Sequence, residues 1–507
     1  MHRELVPSLW TLPVMTLVQA RFIDRVQDAS GPSTVSTGRD EDMSGRLACE
    51  KKRSSRFVVA SWALQPWEKK FRVQELTARR GQWEVDLKRA GYARPTRQQA
   101  IWQDMEMAGF VHFGMNTFTD KEWGDGTEDP AIFDPAELNA DQWVEACKAA
   151  GMGMLVLTAK HHDGFCLWPS RYTEHSVKSS RWKGGKGDVV REVSEACRRG
   201  GLRFGIYLSP WDRHERTYGT RHYNRYFLRQ LRELLTGYGT ISEVWFDGAC
   251  GEGPNGKKQQ YDWAAYYELV RRLQPEALIA ICGPDIRWVG NESGIAREDE
   301  ASTQEVPAGD DSPVRRYQIL WQRGRSVWWP AECDVSIRPG WFYHESQDGK
   351  VKTLKELIEI YCASVGRNSN LLLNIPPDTR GLFHETDVLR LRQLGREIRK
   401  LLGHSIAQTS GEGGKVDLQL PRSSPIDHIV IQEDISKGER ISDFVVQGLA
   451  GGWRDLAQGS VVGHKRILAI EETEVEAVRL IIRGAVGKPR IKLLAVHSFE
   501  EPVKERT

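Results

Sequence analysis

Asp247 ends the bulky run Val244-Trp-Phe and is followed directly by Gly248. A carboxylate placed where a buried strand stops is held in position by the strand and left reachable by the turn, so it is suited to act as a nucleophile or base. A lone Asp-Gly more often marks a capped turn. Here other strand-like runs also end in functional side chains. His112 sits between Val111 and Phe113, His161-His162-Asp163 follow an apolar run, and Tyr207 lies near the end of another. Cleaving a glycosidic bond requires a second carboxyl group opposite the first, one to attack or activate water and one to protonate the departing oxygen. Glu292, Glu252 and Asp285 are the candidates for that second group.

Other chemistries fit these residues less well. Neighbouring residues on an extended chain point in opposite directions, so His161 and His162 should not share a metal ion. A metal-dependent hydrolase using His161, His162 and Asp163 is therefore a weaker reading than hydrogen bonding to vicinal hydroxyls, and no cofactor is expected. The glycines at 248, 251, 253 and 256 lack the lysine and helix start of a phosphate-binding loop. Glu122-Trp123 and Trp288 beside Glu292 pair an acceptor with a ring that can cover a sugar face.

The whole chain supports a neutral ligand. It has 507 residues, 18 of them Trp, and a formal charge of +2 from 71 basic and 69 acidic side chains. That balance gives no electrostatic reason to propose nucleic acid or an anionic membrane as partner. No apolar run is long enough to cross a bilayer. The eight cysteines include no C-x-x-C pair and read as buried thiols.

The elements that must position these residues fall into three stretches. Residues 1–92 carry little periodicity and are expected to be a poorly ordered leader. Within it, residues 5–20 form an imperfect signal peptide, interrupted by Pro7 and Pro13. Residues 93–403 alternate apolar strands with amphipathic helices. Strands are expected near 109–114, 152–160, 202–208, 242–246, 277–282, 326–330 and 370–375, and helices at 140–151, 189–199, 223–235, 263–273, 354–365 and 386–402. Such repetition predicts an α/β fold of the (β/α) TIM-barrel type, with residues 283–325 irregular. Residues 404–507 carry short strand patterns at 426–432, 441–448, 461–468, 478–482 and 490–496, which predict an all-β sandwich as an accessory domain.

Gly109-Phe-Val-His-Phe-Gly114, Leu157-Thr-Ala-Lys-His-His-Asp-Gly-Phe165, Phe204-Gly-Ile-Tyr-Leu-Ser209, Val244-Trp-Phe-Asp-Gly248 and Leu371-Leu-Leu-Asn-Ile-Pro-Pro377, in this order, resemble the α-L-fucosidases of glycoside hydrolase family 29. The resemblance runs from about Arg94 to about Leu402. It implies a retaining exo-hydrolase that removes terminal α-L-fucose from oligosaccharides or glycoproteins through a covalent intermediate on Asp247. His112, Glu122, Trp123, His161, His162 and Tyr207 would line the fucose pocket, with Trp288 and Arg338 as further binding residues. Trp288-Val-Gly-Asn-Glu292 resembles the subgroup acting on α-1,3/1,4-linked fucose, in which this Glu is the acid/base. An apolar wall near Trp123 or Phe165 would accept the C5 methyl. The resemblance also favours a secreted or extracellular site of action. The runner-up reading is a catalytically silent fucose-binding protein on the same scaffold.

Overall fold

The computed structural model describes residues 93–499 except Asp311, so the leader expected at 1–92 lies outside the described residues. The chain begins with α1 (Arg97–Met105), capped by Thr96, then β1 (Met107–Val111) and the short α2 (Met115–Thr119). Helix α3 (Ala140–Ala150) precedes β2 (Met154–Lys160), and α4 (Val189–Gly200) precedes β3 (Arg203–Leu208). Helix α5 (Arg221–Gly237) leads to β4 (Glu243–Phe246), and α6 (Trp263–Leu273) to β5 (Leu278–Ile281) and β6 (Ile286–Trp288). An excursion of β7 (Thr303–Glu305), α7 (Pro313–Gln322) and β8 (Ser326–Trp328) comes before β9 (Ala331–Ser336). Helix α8 (Leu354–Ser364), β10 (Asn370–Asn374) and α9 (Glu385–Gly403) follow.

Local chemistry sets these boundaries. In α3 the Asn139 side chain accepts from the backbone N–H of Gln142, and Gly151 at φ 92° stops the helix. Helix α4 repeats the pattern with Asp188 at its start and Gly201 at its end. Each helix buries one apolar stripe, such as Tyr223, Phe227, Leu231, Leu234 and Leu235 of α5.

Eight parallel strands close into a barrel in the order β1-β10-β9-β6-β5-β4-β3-β2, which is the expected TIM-like architecture. Alternate side chains divide between two cores. Ala108, Phe110, Val156, Tyr207, Trp245, Ala280 and Leu372 pack together inside the barrel, while Val111, Leu157, Ile206, Val244, Phe246 and Leu373 pack with the surrounding helices. Trp102 joins the inner cluster and donates its indole N–H to Glu243 at 2.9 Å.

The structure corrects the strand assignment after β5. Residues 326–328 are not in the barrel; β8 pairs antiparallel with β7 in a separate two-stranded sheet. Val327 and Trp328 are fully buried, but beneath the excursion and against Ile435. The barrel instead uses β6, inside the stretch read as irregular, and β9. The latter carries Glu332 and Asp334 among its buried residues, which hides it from a search for apolar runs. No helix separates β5 from β6. The chain doubles back through residues 282–285, and Asp285 ties the reversal by accepting from Ile279 N at 2.7 Å and from Arg271 Nη2 at 2.6 Å.

Beyond α9, six strands form one antiparallel sheet in the order β11-β16-β12-β15-β13-β14: β11 (Ala407–Glu412), β12 (Lys415–Glu433), β13 (Ile441–Leu449), β14 (Trp453–Gly459), β15 (Arg466–Ala485) and β16 (Arg490–His497). Strands β12 and β15, of 19 and 20 residues, shift register where they pair, and both halves of each feed one apolar cluster. The sequence patterns located parts of four of these strands; β11 and β14 were not anticipated. Glu439 joins the two parts by accepting from Ser302 N, Thr303 N and Asn368 Nδ2.

The β5–β6 reversal depends on a missing side chain. A Cβ on Gly283 would stand 2.2 Å from the carbonyl oxygen of Ile279, which is backbone and has no rotamer to yield. Gly283→Ala is expected to lower stability by about 1–3 kcal/mol, the usual range for overpacking, read as a lower urea midpoint.

Candidate active site

Asp247 stands one residue beyond β4 and two beyond Trp245, so strand periodicity aims it up the inside of the barrel. Tyr207 at the end of β3 donates its hydroxyl to Asp247 Oδ2 at 3.0 Å, and Ala249 N donates to Oδ1 at 2.7 Å. Burial, with Asp247 beside it, pushes the Tyr207 phenol well above its ordinary range, so it remains a donor. The phenol ring stacks on Trp245 with centroids 5.2 Å apart, and Trp245 in turn donates to Glu332 at 2.9 Å. About a fifth of the Asp247 side chain (22%) stays open, and His162 Nε2 lies 3.9 Å from Oδ2.

Three histidines line the pocket beside Tyr207, with His162 nearest the carboxylate, and their partners fix their tautomers. Asn374 donates its amide to Ser336 Oγ at 2.9 Å and to the Trp341 carbonyl at 2.8 Å, so its oxygen faces His112 Nδ1 at 2.8 Å. Nδ1 of His112 therefore carries the proton and Nε2 accepts. Ser209 donates to the Trp211 carbonyl and so accepts from His162 Nδ1 at 2.7 Å, again leaving Nε2 as acceptor. At His161 the Asn116 amide approaches Nδ1 at 3.4 Å, which makes Nε2 the donor. Burial lowers His112 to about 3 and His162 to about 4, and holds His161 well below its usual value. All three are neutral at physiological pH, offering a mixed set of donors and acceptors.

His161 and His162 do not point apart as an extended chain would place them. They lie past the end of β2 in a turn closed by Gly164 N to His161 O, and their ring centroids are 4.1 Å apart. Asp163 is committed to the same turn, accepting from Phe165 N at 2.6 Å. Phe165 packs under it against Phe133 and His175. Phe342 is the ring set edge-on to His112 and His161, at 5.4 and 5.0 Å.

Glu122 accepts from the backbone N–H groups of Trp341 at 2.9 Å and Phe342 at 3.3 Å. Trp123 is 40% exposed at the rim, edge-on to His162 and Trp211. Trp341 lies 5.1 Å from His112, ring to ring, and its indole Nε1 donates to Glu292 Oε2 at 3.3 Å. Glu292 is solvent-exposed at the mouth, yet the protein packed around its carboxyl raises its proton affinity; the Trp341 bond opposes this, while the charges of Asp247 and Glu122 add to it. Trp288 donates to Asp334 at 2.7 Å, behind Glu292.

Three residues weighed for the site are placed differently. Asp285 is locked to Arg271 and the β5 backbone; Glu252 is exposed, as Glu292 is, but lacks the indole contact that Glu292 receives from Trp341. Arg338 is fully buried, with Nε on Asp387 at 2.8 Å and Nη1 on Asp348 at 2.7 Å, so its expected contact with sugar is replaced by two internal ion pairs. Conversely, Trp211, Ser209, Trp341, Phe342 and Asn374 were not singled out as site residues. Asn374 was the most accessible to sequence reasoning, being a polar residue at the end of the Leu-Leu-Leu run of β10.

A neutral, aromatic-walled pocket around a strand-end carboxylate, with a second raised carboxyl at its mouth, is a saccharide-cleaving arrangement, and comparison with known proteins identifies which. The sequence model described as Alpha-L-fucosidase matches residues 90–400. The chain belongs to the α-L-fucosidases of glycoside hydrolase family 29. Among its relatives, Alpha-L-fucosidase 1 of Arabidopsis thaliana is 40% identical over 446 residues, covering 80% of this chain and 87% of that one. A solved glycoside hydrolase 29 family member from an unknown rumen bacterium superposes with a TM-score of 0.75 at 40% identity, covering 82% of this chain and 79% of its own. A Ruminococcus gnavus GH29 fucosidase, solved in complex with fucose, gives 0.73 at 29% identity over 81% of this chain and 95% of its own.

The neutrality of the fucosidase's histidines has a measurable sign. Their folded pKa values lie below that of a free imidazole, so protonation favours the unfolded chain as pH falls below about 6.5. In ¹⁵N spectra of histidine-labelled protein, His112 and His162 are expected to keep the Nδ1–H pattern from pH 7 to pH 5. Imidazolium shifts for either ring at pH 6 would contradict the hydrogen-bond assignment.

Proposed function

We propose that this fucosidase hydrolyses terminal α-1,3/1,4-linked α-L-fucose with retention, using Asp247 as nucleophile and Glu292 as acid/base. The supporting observation is the contrast between the two carboxyls. Asp247 is fixed at the pocket floor by Tyr207 and Ala249 N, whereas Glu292 sits exposed at the mouth with its proton affinity raised by the protein around it and by the charge of Asp247. The linkage preference is supported by Trp288-Val-Gly-Asn-Glu292. A silent binder would have no use for such a pair.

The same contrast drives the cycle. Asp247 attacks the anomeric carbon while Glu292 protonates the departing oxygen; retention requires two such carboxyls to come within roughly 5–5.5 Å of each other. Forming the ester removes the negative charge of Asp247 and with it one cause of the raised affinity of Glu292. Glu292 then gives up protons more readily, which suits the base needed to activate water. His112, His161 and His162 exchange hydrogen bonds with the hydroxyls, Trp123 covers one sugar face, and Phe342 is suited to the C5 methyl.

Asp247→Ala is expected to abolish turnover even with aryl leaving groups, and a 2-fluorofucosyl inhibitor should label the peptide containing Asp247. A label on any other peptide would refute the assignment. Glu292→Ala should still fucosylate Asp247 from a nitrophenyl fucoside and then stall, with azide restoring turnover as β-fucosyl azide. Natural fucosides should lose roughly 10²–10⁴-fold. If Glu252→Ala shows this pattern and Glu292→Ala does not, both the acid/base and the linkage reading fail.

A further inference from the structure

Glu292 lies in a loop with no strand end to fix its carboxyl, so its orientation must come from whatever touches it. The hydrogen bond that reaches it is from the indole of Trp341. Trp341 also lies in a loop, yet its backbone is gripped from two sides. Asn374 at the end of β10 takes its carbonyl, and Glu122, beyond α2, takes its N–H together with that of Phe342. Gly340 allows this approach, since a Cβ there would stand 2.2 Å from Glu122 Oε1.

Glu122 is itself held by His344. The Nε2 of His344 is 2.7 Å from Glu122 Oε1, and Nδ1 is 2.5 Å from Asp120 Oδ1. A neutral imidazole has one N–H and can satisfy one of these carboxylates, so the geometry calls for the imidazolium. Burial opposes that charge, and the bonds to Asp120 and Glu122 outweigh it, leaving His344 above its usual value. His344 thus differs from the three pocket histidines: it is charged and touches none of the reacting groups.

We propose that His344 is a positioning residue for the general acid, acting through Glu122 and the backbone of Trp341 to hold the indole against Glu292. The inference rests on Glu292 being the acid/base. Glu122 consequently has two tasks. Three donors already occupy its oxygens, so it meets substrate as a pre-oriented acceptor and not as a mobile carboxylate.

The experiment compares a nitrophenyl fucoside, whose leaving group departs unaided, with a fucosylated oligosaccharide, whose leaving group must be protonated. His344→Ala is expected to lower kcat/KM for the oligosaccharide by about 10–100-fold, as misplacement of a catalytic group does, while the first-turnover rate with the aryl fucoside falls by a clearly smaller factor, because that substrate shares the Glu122 contact but needs no protonation. Trp341→Phe keeps an aromatic ring but removes the N–H; as a pocket residue it should cost some activity on both substrates, with the larger loss on the oligosaccharide even if His344→Ala proves unstable. In a Glu292→Ala background neither change should cost the oligosaccharide more than it costs the aryl fucoside. If Glu292→Ala itself shows no dependence on leaving group, the acid/base reading falls. If Glu292→Ala shows that dependence but His344→Ala and Trp341→Phe slow both substrates equally, or keep their larger loss on the oligosaccharide in the Glu292→Ala background, the positioning role is overturned and the acid/base reading stands.

Discussion

In a closed barrel of parallel strands every second side chain points inward, and water is excluded from all but the last layer. Any polar atom placed there must find a partner or give up its charge. The column of Glu243 and Trp245 on β4 and Asp247 just beyond it obeys this constraint at three depths. At the bottom, burial raises Glu243 to about 8, while burial and Glu243 together hold Glu332 far above its normal range. Two ionised carboxylates would repel in that setting; instead each accepts an indole N–H, from Trp102 and from Trp245. The middle layer is aromatic: Trp245 stacks on Tyr207, with Phe110 against both. Only the top member of the column reaches the pocket, and the Tyr207 hydroxyl meets it there. The buried floor thus does more than fill space, because it orients the phenol that orients the Asp247 carboxylate.

The same exclusion of water explains the character of the pocket wall. Three histidines close to one carboxylate would bring considerable positive charge if protonated, and a cationic pocket would favour anions. Burial keeps them neutral, and the amide of Asn374 and the hydroxyl of Ser209 set their tautomers. What is left is a ring of donors and acceptors with little net charge, matched to a sugar whose only handles are hydroxyls and a methyl. Composition points the same way through a formal charge of +2 and 18 tryptophans. The structure adds the mechanism by which locally ionisable residues behave as uncharged ones.

How much of this could be read beforehand depended on whether a residue's task was local. Asp247, His112 and Tyr207 were legible because each follows or ends an apolar run, and a strand end implies a rim position. Strand β9 was not, since its buried Glu332 and Asp334 are tolerated only through Trp245 and Trp288, distant in sequence. Arg338 was expected to bind sugar on the resemblance alone; its burial depends on Asp348 and Asp387, which no spacing rule links to it. The paired histidines were misread for the opposite reason. Strand geometry was applied one residue too far, into a turn that gathers both rings.

The two carboxyls proposed as catalytic therefore rest on different kinds of support. Asp247 is fixed by covalent continuity with a barrel strand and by a donor from the neighbouring strand, so its position follows from barrel closure itself. Glu292 depends on a chain of side chain and backbone contacts running from Asp120 through His344, Glu122 and Trp341. In the proposed roles, a strand-end nucleophile suits a reaction in which the attacked carbon always belongs to the same sugar. The proposed acid/base would have to meet a departing oxygen whose surroundings change with the rest of the glycan. Placing it on a loop, secured by a loop, separates recognition of fucose from accommodation of whatever fucose is attached to.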